Sequence, residues 1–378
     1  MDYRSFFSDD VPSFMRSPVR EIFKKVDLAS IYSFAGGYPD AATFPIEDIR
    51  RISAQVLEKY GAKALQYGAT QGVPELREVV ARRYGVPVEN VQITTSSQQG
   101  IDVCTRVLIN PGDVVLTTAP TYLGALQSFK SYRADVRTLD SFDFSKPVKF
   151  CYVIPDFQNP SGETMTLEER QKLVALARER DFLIVEDSPY RELRYSGEPV
   201  PTIYSLAPER TLHLGSFSKI FAPGFRLGWM LGPVELLDQI YVCKQSLDLC
   251  PPILDQYMAA EFMGSGALDA NLQKSIALYR AKRDKMLALL EQYMPQGVSW
   301  THPEGGLFLF LTLPEGFDTV ALYDRALSAG VAYVAGSFFY PDGSHRNTMR
   351  LNFSFLDASR MEAGIRLLSD VIGGRSRE

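Results

Sequence analysis

Short, almost continuous apolar runs alternate with longer amphipathic stretches through the middle of this chain, and that alternation narrows the folds open to it. The runs are Val91–Thr95, Val114–Thr117, Phe150–Ile154, Phe182–Glu186 and Thr211–Leu214. A strand covered on both faces has no polar side, so it reads as an unbroken apolar run. Between two of them, Leu167–Arg180 has helical periodicity, with Thr166 as N-cap and Glu169 as its capping-box partner. This pattern predicts an α/β protein with a mostly parallel sheet sandwiched by helices and joined by right-handed crossovers.

With 378 residues, the chain can build two domains. We expect a large domain over residues 46–280 and a small α+β domain made from residues 1–45 and 281–378. A long amphipathic helix from about Ala267 to Tyr293 leads into a β-like run, Gly305–Leu313. The net charge of -5 argues against a nucleic-acid or anionic-membrane partner. No apolar run reaches the roughly twenty residues of a membrane span. Acidic residues in MDYRSFFSDDVPSF stand where a signal peptide is basic, so the cytoplasm is the expected location. The 4 cysteines form no C-x-x-C pair and the 3 histidines no ligand-like pair, so no metal site is expected.

In open parallel sheets, ligands sit beyond the carboxyl ends of the strands. Ser97, Tyr122, Asn159, Asp187 and Lys219 all fall at or just after such ends. Lys219 lies in TLHLGSFSKIFAPGFRLGW, with Ser216, Ser218 and Arg226 around it. Most lysines are solvated surface charges. Here, however, hydroxyls, backbone amides and a guanidinium make a phosphate cup, and a desolvated lysine beside it can form a Schiff base with an aldehyde. That combination describes an anchor for pyridoxal phosphate. Asp187, which FLIVEDSPY places at the end of a buried strand, would keep the pyridine nitrogen protonated. Tyr190 and Asn159 would donate to the phenolic oxygen, although Asn-Pro is also an ordinary turn. Ser97 and Gln98 in ITTSSQQG offer amides at a helix start, where an ordinary Ser N-cap is the plainer reading. Tyr122 would stack on a planar ring, and Arg350 in NTMRLNFS would grip a substrate carboxylate.

The segments PDFQNPSG, VEDSPYREL, LGSFSKIFAPGFRLGW and NTMRLNFS, in this order, resemble the fold-type I aminotransferases of class I/II. SPVREIF, FAGGYPD, LQYGATQGVPELRE and ITTSSQQGID narrow the resemblance to the branch of 2-aminoadipate and kynurenine aminotransferases and MocR-type regulators. It spans roughly residues 12–372. SSQQ stands where the branch more often has GSQQ, and Tyr38 where leucine is usual. The resemblance implies an aspartate-aminotransferase-like fold with Lys219 as the catalytic residue. It also implies a homodimer in which Tyr67 reaches the neighbouring subunit's phosphate. Gly37 and Asn159 would assist Arg350, and Arg20 would contact the substrate side chain. The implied reaction passes the amino group of an L-amino acid to a 2-oxo acid, 2-oxoglutarate by resemblance, in a ping-pong sequence. Donors would be 2-aminoadipate, aromatic or branched-chain amino acids. A lyase or decarboxylase on the same scaffold, or a non-enzymatic sensor domain, are the alternatives.

Overall fold

The computed structural model describes residues 1, 3–8, 11, 14 and 30–374. A short strand, Tyr32–Ser33 (β1), precedes seven strands of a main sheet. These are Val91–Thr94 (β2), Val114–Thr117 (β3), Asp135–Thr138 (β4), Val148–Val153 (β5), Leu183–Asp187 (β6), Thr211–Ser216 (β7) and Gly228–Leu231 (β8). Their spatial order is β2-β8-β7-β6-β5-β3-β4. Pairing is parallel from β4 to β7, and only β8 runs against its neighbours. The five expected runs became strands, with ends displaced by a residue or two.

Two strands of this sheet escaped the pattern, for physical reasons. β4 is an edge strand, only partly buried, so its sequence DVRT is not apolar. β8 opens on a glycine, which leaves an apolar run of only three residues, Trp229 to Leu231.

Successive strand residues face opposite sides of a sheet. Phe150, Tyr152, Val185, Leu212 and Leu214 pack on one side with Ile101, Cys104 and Phe129. Cys151, Val153 and Ile184 pack on the other with Leu173, Val174 and Ala177. Helices Ser96–Leu108, Leu123–Ser131 and Val234–Asp248 therefore cover the first face, and Leu167–Arg180 the second. The last of these starts on the capping box read from the sequence: Thr166 accepts from the Glu169 amide, and Glu169 reaches back.

The helix Ala267–Tyr293 runs unbroken into a second sheet. The remaining strands are Ser299–Trp300 (β9), Phe308–Thr312 (β10), Val331–Ala332 (β11), Val334–Ala335 (β12) and Thr348–Asn352 (β13). Their antiparallel sheet has the order β12-β13-β10-β9, while β11 pairs in parallel with β1.

The turn after β5 is fixed by a buried ion cluster. Asp156 receives the fully buried Arg170 guanidinium at 2.8 Å and Arg191 at 3.0 Å. Arg170 also donates to the carbonyls of Met165, Pro201 and Pro155. Deleting one member of such a pair strands the other charge, which costs about 3–5 kcal/mol. Asp156→Ala is therefore expected to lower the unfolding free energy by about that amount, read from urea denaturation. A loss under about 1 kcal/mol would show that the cluster is not holding this turn.

Candidate active site

A cavity of about 780 Å³ opens where the carboxyl ends of the main sheet face β10 and β13. The parallel strands deliver Asp187 at the end of β6 and Ser216 at the end of β7. A single tight turn, Phe217–Lys219, then turns Lys219 into the cavity. Its Nζ donates to the Gly37 carbonyl at 2.8 Å. Burial pushes its pKa down to about 8, helped by the charges of Arg226 and Arg350. A lysine in that range holds a usable fraction of free amine near neutrality.

Asp187 is 2% exposed. One carboxylate oxygen, Oδ2, accepts from the Tyr152 hydroxyl at 2.7 Å, while Oδ1 is buried without a partner. Burial raises its pKa to about 7. An unpartnered, buried acceptor lining a cavity is a site for a donor from a ligand.

On the other side, Arg226 donates to the Ser96 hydroxyl at 2.8 Å. Ser96 opens the helix Ser96–Leu108 with φ at 70°, and its N-cap, Thr95, makes no side-chain cap bond. The amides of the first turn, Ser97 and Gln98 among them, are left for an anion. Ser216 accepts from the Ser218 amide at 3.2 Å, which folds that loop against the same cup. A Cβ on Gly228 would stand 2.7 Å from the Gly215 carbonyl and 2.9 Å from the Ser97 nitrogen, so only glycine allows this approach.

Arg350, on β13, closes the far end. Its guanidinium is 4% exposed, donates to Asn159 Oδ1 at 2.8 Å and to the Ala35 carbonyl, and lies over Phe308 at 4.3 Å. Its Nε is buried without a partner. Tyr190, buried beside Asn159, has its phenol held well above the usual value by burial. Tyr122 borders the cavity at the start of the helix Leu123–Ser131.

Twelve of the residues singled out from sequence thus border one cavity: Gly37, Ser97, Gln98, Tyr122, Asn159, Asp187, Tyr190, Ser216, Ser218, Lys219, Arg226 and Arg350. Tyr67 does not border it and is 79% exposed. Arg20 lies outside the described residues. Gly37 enters differently from the expectation, with its carbonyl turned to Lys219. Sequence reading missed Ser96, Tyr152 and a support behind the cup. In that support Asp248 accepts from Thr95 at 2.9 Å and Gln99 at 2.6 Å, and pairs with the fully buried Lys244 at 2.7 Å.

A family model, aminotransferase class I and II, matches residues 34–368. The chain belongs to that family. It is 43% identical to aromatic-amino-acid aminotransferase 1 of Thermococcus litoralis, over 98% of this chain and 95% of the relative. Among solved structures, the kynurenine aminotransferase of Pyrococcus horikoshii is 42% identical with a TM-score of 0.95, over 100% of this chain and 99% of that one. The Thermus thermophilus alpha-aminoadipate aminotransferase, complexed with N-(5'-phosphopyridoxyl)-L-leucine, is 34% identical with a TM-score of 0.93, over 99% of both chains. Pyridoxal phosphate is the cofactor of this aminotransferase, as of its family. Two observations fit it: the unpartnered Asp187 oxygen suits a protonated ring nitrogen, and the uncapped amides beside Arg226 suit a phosphate.

Asp187 makes a signed prediction. Its folded pKa near 7 lies above the unfolded value of about 3.9, so the cofactor-free folded state binds the extra proton. Stability contributed by this group is present below about pH 4 and falls as pH rises toward 7. Urea unfolding of the cofactor-free protein at pH 5 and pH 8 should show a larger loss for the native chain than for Asp187→Asn. Equal losses would place the Asp187 pKa near the ordinary range.

Proposed function

We propose that this aminotransferase passes the amino group of an L-amino acid to a 2-oxo acid, with 2-oxoglutarate as acceptor and a ping-pong order. The observation that carries the reading is the convergence of a desolvated lysine, an unpartnered buried carboxylate oxygen and a buried arginine in one cavity. The proposed roles follow from their chemistry. Lys219 is the catalytic residue: its neutral amine takes the α-proton of the donor and returns a proton as general acid. Asp187 holds the ring nitrogen of the cofactor protonated. Asn159 and Tyr190 donate to its phenolic oxygen, and Tyr122 stacks on its ring. Ser97, Gln98, Ser216, Ser218 and Arg226 hold its phosphate. When bound, pyridoxal phosphate draws electrons from the α-carbon and so makes that proton acidic.

Arg350 binds the α-carboxylate of each substrate in turn, because its planar fork matches a carboxylate. Asn159 orients it through the bond at 2.8 Å, and Gly37 borders the same end of the cavity. One clamp serving both substrates is what an alternating sequence requires.

We further propose a cytoplasmic homodimer in which the exposed Tyr67 completes the phosphate cup of the neighbouring subunit. The division into residues 46–280 and 1–45 plus 281–378 belongs to the same reading. For donors we propose the aromatic and 2-aminoadipate classes, supported by the names of the relatives, with branched-chain amino acids as a third class. Arg20 is the proposed reader of acidic side chains.

The test is an amino-donor screen with 2-oxoglutarate, following glutamate formation. Lys219→Ala should abolish turnover. Arg350→Lys should lower kcat/KM about ten- to a hundredfold, since a lysine replaces a bidentate contact with a single point charge. Arg20→Ala should lose acidic donors only. Release of ammonia or carbon dioxide without any 2-oxo acid would overturn the transfer reaction.

A further inference from the structure

Tyr152 is the penultimate residue of β5, wholly buried, in a position that packing alone would fill with phenylalanine. β5 and β6 pair in parallel with Tyr152 opposite Val185. Residues two apart on a strand share a face, so Tyr152, Val185 and Asp187 point the same way. The ring is gripped edge-on by Phe129 at a centroid distance of 5.5 Å. Its hydroxyl ends 2.7 Å from Asp187 Oδ2. An ionised carboxyl group only accepts hydrogen bonds. With Oδ2 occupied, the carboxyl group cannot rotate without breaking a charge-assisted bond, and Oδ1 is the oxygen left to face a ligand.

We propose that Tyr152 is a positioning residue that keeps the Asp187 carboxylate charged and in one orientation, so that its free oxygen holds the cofactor's ring nitrogen protonated. This rests on the reading of Asp187 given above. Burial favours a neutral Asp187, and the Tyr152 bond is the first force opposing it, ahead of His213 on β7. Cys104, from the helix Ser96–Leu108, and Tyr190, just beyond β6, also face Asp187. Burial pushes the thiol and the phenol upward, so both stay uncharged near neutrality and neither sets a charge beside the carboxylate. The phenol of Tyr152 is itself held well above its usual value, again by burial, so it remains a donor across the working pH range. Without it, the shared proton moves from the ring nitrogen toward Asp187.

The experiment reconstitutes the holoenzyme with cofactor labelled by nitrogen-15 in the ring and follows that signal with pH. In the native protein the shift should be that of a protonated nitrogen. In Tyr152→Phe it should move toward the unprotonated value and vary with pH, and kcat should fall about ten- to a hundredfold, the effect of one bond to a charged group. Phe129→Leu, which loosens the packing of Tyr152 without touching Asp187, should leave the shift in place. An unchanged shift in Tyr152→Phe, or an equal change in Phe129→Leu, overturns the proposal. Asp187→Asn separates the two levels: if it too leaves the shift unchanged, the reading of Asp187 has failed rather than that of Tyr152. Should Tyr152→Phe not fold, 3-fluorotyrosine at position 152 keeps the ring and strengthens the donor. In the cofactor-free protein it should lower the pH at which a carbon-13-labelled Asp187 carboxyl titrates, and an unmoved midpoint overturns the proposal.

Discussion

A carboxyl group buried at the end of β6 with one oxygen unpaired is costly, and most of the cavity can be understood as its setting. Burial alone would neutralise Asp187, and the Tyr152 bond opposes that. Across the cavity the balance is reversed, because Lys219 and Arg350 both have depressed pKa values for the same reason, burial. One desolvated space thus weakens an acid and a base together. For Lys219 that leaves an amine whose proton moves close to neutrality, the condition under which general acid–base work is efficient.

Close backbone approach is the second requirement. The anion cup needs β7, β8 and the start of the helix Ser96–Leu108 within van der Waals contact, and Gly215 and Gly228 permit it. A Cβ on Gly215 would meet the Trp229 ring at 2.0 Å. The cup is then braced from behind, where Asp248 ties down Thr95 and Gln99 while Lys244 compensates its charge. An acid so close to an anion site would be unfavourable without that lysine.

Much of this was legible in the sequence, because the signals were local. Continuous apolar runs marked β2, β3, β5, β6 and β7, and the box Thr166–Glu169 marked a helix start. The strand-end rule places Asn159, Asp187 and Lys219 along one edge of the sheet. What escaped was set by tertiary context. Ser96 takes the Arg226 bond from a backbone with positive φ, and nothing in SSQQ announces which serine adopts that geometry. Tyr152 reads as one more core aromatic until β6 is placed beside it. Asp248 lies 153 residues from Thr95, beyond the reach of any local pattern. Tyr67, expected at the neighbouring subunit's phosphate, is exposed on its own chain.

The guanidinium of Arg350 joins segments 191 and 315 positions away, at Asn159 and Ala35, and Lys219 reaches 182 positions back to Gly37. The Arg350 contacts must wait for β13, whereas the Lys219 contact needs only the chain up to that residue. The main sheet ends at Leu231, so it can be complete well before β13 exists. A nascent chain would therefore own a phosphate cup and a reactive lysine before it owned a substrate clamp. In order of synthesis, the residues that face the cofactor precede the residue that grips the substrate.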